Sequence, residues 1–277
     1  MATVAAHWPL AMIWPLCLGI GLCSGFLAGL LGVGGGTVIV PGLILTAHWL
    51  GVGADDAAPV AMATALAVVI PTSISSAQAH ASRDSIDWHA FWTLAPGITA
   101  GALTGTLAAC ALGSRLTLAA FIGLALLAAR RLLASAAADC EPGSTAPPRP
   151  VRRLGPHSVA IGLVSGLAGV GGGLLSVPLL ARYIPMKRAI GTASALGLPL
   201  AVAGLTGYLV AGHAAQCAAG CLGYVLVPAV PAISLAAITM APLGASLAHH
   251  LPVRSLKRAF AALLLLVCGD LSVELLH

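Results

Sequence analysis

Two glycine runs give this sequence its clearest candidate for a binding site. The first is GVGGGT, within residues 29–41, and the second is GVGGGL, within residues 166–178. Glycine inside a helix costs about 1 kcal/mol relative to alanine, so adjacent glycines in an apolar run need a reason. Such a run turns sharply, lets a ligand approach the main chain and presents successive N–H groups as an anion-binding nest. The chemistry indicated is recognition of a small anion by backbone amides.

The candidate anion ligands are these glycines and the hydroxyls that accompany them. Helices starting at Thr37 and Leu174 would add the positive ends of their dipoles, although the preceding helices point their negative ends at the same place. A side chain at Gly35 or Gly172 is expected to fill the ligand's space and to forbid a positive φ. The predicted substrate-binding residues are Gly34, Gly35, Gly36, Thr37, Thr64, Gly171, Gly172, Gly173 and Thr192.

A competing interpretation of the glycines is close packing of helices. Small residues four apart let two helix backbones approach each other in a bilayer. Gly25, Gly29, Gly101 and Gly105 fit that interpretation well. Three adjacent glycines exceed what the packing of one helix face requires, so the binding interpretation is kept for the triplets.

The composition is that of an integral membrane protein. Of 277 residues, 59% are hydrophobic and only 8% are charged, and the mean hydropathy is +1.00. Uncharged runs at 57–79, 90–112 and 189–212 can each span a hydrocarbon core about 30 Å thick. The lipid bilayer is therefore an expected partner. Nucleic acid is not, because the 13 Lys and Arg residues fall in short loops rather than in one patch.

The chain is a tandem duplication. The two glycine runs align at an offset of 137 with nine identities in 13 positions. Downstream, residues 63–71 match residues 191–199 at an offset of 128, which pairs Thr64 with Thr192 and Pro71 with Pro199. A polar, Pro-rich segment separates the copies. The predicted units are a first membrane repeat at 1–138, a cytoplasmic linker at 139–156 and a second membrane repeat at 157–277.

Each glycine run is predicted to be the tip of a hairpin of two short helices, followed by three transmembrane helices. This arrangement puts 12 of the 13 Lys and Arg residues on one face and Arg115 on the other, a strong positive-inside signal. It places residues 182–188 in the cytoplasm, and Asp55, Asp56 and His213 outside. An odd number of crossings makes the copies antiparallel, as in secondary transporters. The predicted fold class is an all-α integral membrane protein built as a tandem inverted repeat of broken-helix hairpins.

These motifs resemble a known family. Residues 29–41 and 166–178, each followed by Ala63-Thr64 or Gly191-Thr192, and DSIDWHAF before the Gly101/Gly105 span, are similar to the sulfite exporter TauE/SafE family of membrane permeases. The resemblance covers residues 10–275. It implies a bacterial inner-membrane carrier of small sulfur-containing anions such as sulfite, thiosulfate or sulfonates.

The turn HAAQCAAGC lies outside that pattern. If it is helical, His213, Cys217 and Cys221 lie along one face and could offer soft ligands to a metal. Three ligands without a fourth are a weak signal, so incidental residues are the favoured interpretation and a redox thiol pair is the other alternative. The seven cysteines are scattered and do not indicate a disulfide framework.

The predicted function is transport of an anion by alternating access between the two halves. The alternatives are an anion channel and a membrane-embedded enzyme. No Asp, Glu, Lys or Arg lies at the centre of a predicted span, so no catalytic residue is predicted. No cofactor or metal is expected, and the nucleotide-binding pattern GxxxxGK[ST] is absent from the sequence. A coupling proton or other ion is a further candidate partner. His48, His80 and His89, expected at the membrane interface, are candidates for that role.

Overall fold

The computed structural model describes residues 10–31, 35–47, 52, 54–137, 154–211 and 221–247, together with short pieces between 258 and 272. Gly34, His48, the linker residues 139–153, His213 and Cys217 lie outside the described residues. The helices are α1 Leu10–Leu31, α2 Gly36–Ala47, α3 Ala54–Ala81, α4 Trp88–Leu112, α5 Ser114–Ala137, α6 Gly155–Leu167, α7 Gly173–Leu180, α8 Met186–Ala211 and α9 Ala229–Leu247. The described part of the chain is thus nearly all helical, as predicted.

One small β-hairpin departs from the helical pattern. Strand β1 (Cys221–Leu222) pairs antiparallel with β2 (Val225–Leu226) between α8 and α9. Cys221 therefore begins a strand, whereas the alternative of a metal site with His213 and Cys217 required it on a helix face. The glycine Gly223, with φ +59°, makes the turn between the two strands.

Five of the described helices are long and apolar enough to cross a membrane. They are Trp14–Leu31, Asp56–Ala81, Trp88–Leu112, Lys187–Ala211 and Ala229–Leu247. The first of these segments lies in α1, and its length corrects the expectation that both helices of each hairpin are short. Helix α1 has 22 residues because its apolar run continues unbroken through Pro15, whereas the equivalent α6 has 13.

Each half of the chain packs its first helix against the other half. Gly25 and Gly29 of α1 lie so close to α9 that a Cβ would overlap the main chain of Ala237 and Ala241. Helix α6 packs on α4 in the same way, because a Cβ on Gly101 or Gly105 would overlap main-chain atoms at Val159 and Leu163. The contacting residue numbers rise together in both pairs, so both are parallel. The packing interpretation of these four glycines is confirmed.

Helices α3 and α8 form an antiparallel pair between the halves, called here the α3–α8 seam. The pairs in contact across it are Met62 with Tyr208, Leu66 with Gly204, Ser73 with Gly197 and Ser76 with Ser194. In every pair the residue numbers add to 270. The same sum sets Pro71 opposite Pro199, the two prolines that the internal repeat matches.

The loop between α3 and α4 meets the start of α8 at one end of the molecule. Asp84 Oδ2 lies 4.0 Å from Arg188 Nη2, and both side chains are exposed, so this pair contributes little stability. The main-chain N–H of Asp87 donates to Thr192 Oγ1 at 2.9 Å. The loop that contains Arg83 is therefore next to the start of α8, which contains Lys187 and Arg188. This end of the molecule is called the basic face.

The interior of the described chain is uncharged. No Asp, Glu, Lys or Arg whose side chain the structure describes is buried, and the buried polar side chains are serines, threonines and His80. Large apolar side chains such as Leu116, Leu235 and Leu266 are exposed, as they are on a protein surrounded by lipid. Exposed Trp14 and Trp88, near the starts of α1 and α4, suit the membrane–water interface.

A proline in α9 makes Ser75 a stabilising residue. Pro242 lies four residues after Ile238 and has no N–H, so the Ile238 carbonyl lacks its helical donor. Ser75 Oγ donates to that carbonyl at 3.1 Å. We expect Ser75→Ala to destabilise the protein by about 1–2 kcal/mol, because the carbonyl loses its partner. Thermal denaturation in detergent tests this, with the exposed Ser82→Ala as control, and an unchanged Ser75→Ala midpoint would contradict it.

Candidate anion site at the glycine tips

The two glycine tips touch. The first tip consists of Gly35, Gly36 and Thr37, and the second of residues 169–173. A Cβ built on Gly36 would lie 3.1 Å from the Gly169 carbonyl oxygen and 3.2 Å from the Gly171 nitrogen. The predicted proximity of the two runs is confirmed, and a side chain larger than methyl at Gly36 would force the tips apart.

In the first tip, Gly35 turns the chain from α1 into α2. Its φ is +70°, which glycine adopts freely and which is strained for other residues. Its carbonyl accepts the N–H groups of Val38 at 3.0 Å and Ile39 at 3.2 Å, so α2 begins at Gly36. The N–H groups of Gly36 and Thr37 then have no acceptor within their own helix. They are the donors that the anion nest requires.

Thr37 adds a hydroxyl to this helix start. Its side chain is 2% exposed, and its Oγ1 has no hydrogen-bond partner in the described part of the chain. Burying a hydroxyl without a partner is unfavourable, so such groups in native proteins call for an explanation. The matching position in the second tip is Leu174, which is buried and apolar. The two tips therefore share backbone donors, but only the first supplies a hydroxyl at this position.

The second tip turns at a different glycine from the one predicted. Gly169, with φ +61°, ends α6 in a Schellman motif, in which Val170 N–H donates to Ser165 O and Gly169 N–H to Gly166 O. Gly172 has φ −52° and precedes α7 in a right-handed conformation. The prediction of a positive φ at Gly172 is wrong, because the left-handed residue is needed where α6 ends. A Cβ on Gly172 would instead lie 2.8 Å from Leu200 Cδ1.

The start of α7 repeats the donor pattern of α2. The Gly172 carbonyl accepts the N–H groups of Leu175 at 3.3 Å and Ser176 at 2.9 Å. The N–H groups of Gly173 and Leu174 are left without helical acceptors. Two helix N-termini therefore belong to tips that touch, and their dipoles favour negative charge.

Thr64 and Thr192 hold loops of the opposite half. Thr64 Oγ1 accepts the N–H of Leu226 in β2 at 2.9 Å, just as Thr192 Oγ1 accepts the N–H of Asp87. Each threonine lies seven residues from the level of Pro71 and Pro199, in opposite directions along the seam. At 1.5 Å per residue they are about 20 Å apart, so one small anion does not contact both at once. Their recurrence in the repeat has this structural reason.

A small pocket lies beside Thr64. It is lined by residues of α2 and α3, by Val52 and by Leu226, and Thr64 is its only lining residue among the predicted ligands. Its lining is otherwise apolar and includes no residue of either tip. The pocket therefore does not mark the predicted anion site.

The histidines differ from one another in position. His89 is exposed, as expected of an interfacial residue. His80 is 2% exposed, and its Nε2 lies 3.1 Å from the Gly29 carbonyl oxygen near the end of α1. Because a carbonyl only accepts, Nε2 carries the proton in this contact. His80 thus connects the end of α3 to the helix that leads into the first tip.

Sequence reasoning missed Ser73, a polar residue in the interior. This residue of α3 is 1% exposed, and its Oγ has no hydrogen-bond partner among the described residues. A signal was present, because Ser73, Ser76 and His80 follow a helical spacing of three and four and so share one face of α3. This spacing is hard to recognise in the sequence, because α3 contains several other hydroxyl side chains.

Comparison with known proteins gives the class of the molecule. The chain is 35% identical over 261 residues to a probable membrane transporter protein of Haemophilus influenzae, covering 94% of this chain and 98% of that protein. It is 28% identical over 265 residues to a probable membrane transporter protein of Methanocaldococcus jannaschii, covering 91% and 93%. Together with the apolar helices, these relatives define a multi-pass protein of a membrane transporter family.

That family can be named. The chain belongs to the sulfite exporter TauE/SafE family, whose profile matches residues 17–271. The resemblance seen in the glycine runs and the motifs that follow them is confirmed. A third relative, a probable membrane transporter protein of Bacillus subtilis, is 26% identical over 213 residues, covering 70% of this chain and 77% of that protein. No solved structure matches the chain.

Proposed function

We propose that the protein transports small sulfur-containing anions, such as sulfite, thiosulfate or sulfonates, across the bacterial inner membrane by alternating access. One observation carries the choice of site: Gly36 of the first tip lies against residues 169–171 of the second, so two helix N-termini whose first N–H groups lack acceptors in their own helices are adjacent. The uncharged interior supports the same choice, because no described buried cation competes with the amides for the anion. The family's description supplies the sulfur class of the substrate.

We further propose that the two halves are inverted copies. A two-fold axis relating α3 to α8 would exchange each residue of α3 with the residue 128 positions later, and each residue of α8 with the one 128 positions earlier. Every contact across the α3–α8 seam would then become another contact with the same sum of residue numbers. The observed sum of 270 supports this proposal, because an axis at Pro71 and Pro199, perpendicular to the antiparallel helix pair, would produce it. Such an axis lies in the membrane plane, as in inverted-repeat transporters. Leu200, which contacts Gly172 of the second tip, is at the same level.

The inverted arrangement predicts which positions react from each side of the membrane. On a background without native cysteines, Asp56→Cys is expected to react with an impermeant maleimide in intact cells. Arg182→Cys is expected to react only after the membrane is opened, because it belongs to the basic face, which we assign to the cytoplasm. Arg115→Cys, at the opposite end of α4, serves as the control for outward exposure. Labelling of Asp56→Cys and Arg182→Cys from the same side would contradict the inversion.

Uptake into proteoliposomes tests the function itself. Purified protein is reconstituted and supplied with radiolabelled sulfite, sulfate, thiosulfate, taurine or sulfoacetate, with and without a pH gradient to detect a coupling proton. We expect saturable uptake of at least one sulfur oxyanion or sulfonate. Conductance that rises with concentration without saturating would favour an anion channel instead. Absence of uptake for every compound would refute the proposed substrate class.

A further inference from the structure

The α3–α8 seam is polar on one side of Pro71 and Pro199 and largely apolar on the other. Between these prolines and the basic face, the seam contains Ser73, Ser76, His80 and Ser194. The residues that the repeat matches to them, at an offset of 128, are Ala201, Gly204, Tyr208 and Leu66. The two halves of the seam therefore correspond in the sequence repeat but differ in polarity, and the serine hydroxyls lie on the side of the basic face.

Ser73 differs from the other hydroxyls of this polar half because its proton has no acceptor among the residues that the structure describes. Ser76 Oγ donates to Ser194 Oγ at 3.2 Å, and Ser194 Oγ donates to the Ile190 carbonyl at 3.1 Å. Ser73 Oγ makes no hydrogen bond within the protein. The hydroxyl fits against α8 because Gly197 has no side chain. A Cβ at Gly197 would lie 2.6 Å from Ser73 Oγ.

Ser73 is also connected to Gly172 of the second tip through helix α8. Gly197, which faces it, and Leu200, whose Cδ1 contacts Gly172, are three residues apart on α8. Residues three apart share a helix face and are separated by about 4.5 Å along the axis. The Ser73 hydroxyl is thus about one helical turn from the level of Leu200, against which Gly172 packs, towards the basic face.

We propose that Ser73 is a substrate-contact residue, and that the anion moves between the glycine tips and the basic face along the polar half of the α3–α8 seam. This inference rests on the proposed transport of a sulfur oxyanion. An anion that leaves the amides of the tips needs another donor, because the described interior offers no buried cation. The Ser73 hydroxyl can rotate and supplies that donor, whereas Ser76 and Ser194 are paired and close the seam beyond it.

The test compares Ser73→Ala with a matched loss of another buried hydroxyl. Ser234 of α9 is 7% exposed, and its Oγ also lacks a protein partner, but it lies outside the seam. For the anion that the wild-type protein takes up best among radiolabelled sulfite, thiosulfate and sulfate, we expect Ser73→Ala to raise KM about tenfold, which is the loss of one hydrogen bond to a charged ligand. Ser234→Ala should leave KM within about twofold of the wild-type value.

A second pair of variants keeps the proposal testable if Ser73→Ala does not fold. Gly197→Ala presses on the Ser73 hydroxyl and should also raise KM, whereas Gly204→Ala presses at 2.9 Å on Leu66 Cδ1 in the apolar half and should not. A wild-type KM in both Ser73→Ala and Gly197→Ala overturns the role of Ser73 while anion transport stands. An equal rise in Ser234→Ala also overturns it. If the wild-type protein takes up none of the anions, the proposed function fails instead.

Discussion

Gly36→Leu is expected to abolish anion uptake while the protein still inserts and folds. A leucine side chain at this position has no room, because even its Cβ would lie 3.1–3.3 Å from three main-chain atoms of residues 169–171. It would separate the two tips and displace the N–H groups that the proposed site uses. Gly36→Ala adds only the Cβ and is expected to reduce uptake without abolishing it. Uptake into proteoliposomes, normalised to inserted protein, measures both effects.

Two further leucine variants separate lost space from backbone strain. Gly35→Leu removes space beside Ser24 and also strains the backbone, because φ is +70° there. A left-handed conformation costs an L-residue about 1–2 kcal/mol. Gly172→Leu has only the first, because φ is −52° and the obstacle is Leu200. Gly123→Leu is the matched control, since nothing lies within 4 Å of a Cβ there. If Gly35→Leu, Gly36→Leu and Gly172→Leu all transport at the wild-type rate, the glycines serve packing and the site lies elsewhere.

Gly25→Leu and Gly105→Leu are expected to prevent folding altogether. At both positions a Cβ would overlap the main chain of the neighbouring helix, at Ala237 of α9 or at Leu163 of α6. A whole leucine must push two parallel helices apart, and overpacking on this scale costs about 3 kcal/mol or more. We expect loss of the monodisperse peak in size-exclusion chromatography of the solubilised protein.

A control for these packing variants lies on α1 itself. Gly19 is six residues before Gly25, and nothing lies within 4 Å of a Cβ built on it. Gly19→Leu should therefore behave as the wild type does in chromatography and thermal denaturation. Well-folded Gly25→Leu and Gly105→Leu proteins would show that α1 and α6 do not pack as closely as the structure indicates. The contrast with Gly36→Leu separates glycines required for folding from those required for transport.

The sequence predicted the helices and their closest contacts because its strongest signals are periodic and repeated. Apolar runs predicted the helices. The two copies of the glycine run predicted the contact between Gly36 and the second tip, and small residues four apart predicted the packing of Gly25 and Gly105. Each of these predictions depends on a local pattern or on the internal repeat. Both can be recognised in the sequence without knowledge of the fold.

Details of the site were less predictable because they depend on where helices end and on which helix faces which. The run GVGGG is the same in both copies, yet α6 ends at its first glycine, so the positive φ falls on Gly169 and not on Gly172. Thr64 and Thr192 recur, but recurrence alone does not reveal that each binds a loop N–H. Ser73 looks like any serine on an apolar helix until Gly197 is seen opposite it.

The exchange of first helices between the halves has a consequence for biosynthesis. Gly25 packs against Ala237, which is 212 residues later in the chain. At a translation rate of 5–20 residues per second, α1 waits roughly 10–40 s for α9 to emerge from the ribosome. During that interval its glycine stripe faces lipid or the insertion machinery rather than its partner. A nascent chain that stalls before α9 therefore leaves α1 unpaired, and the first half cannot mature as an independent unit.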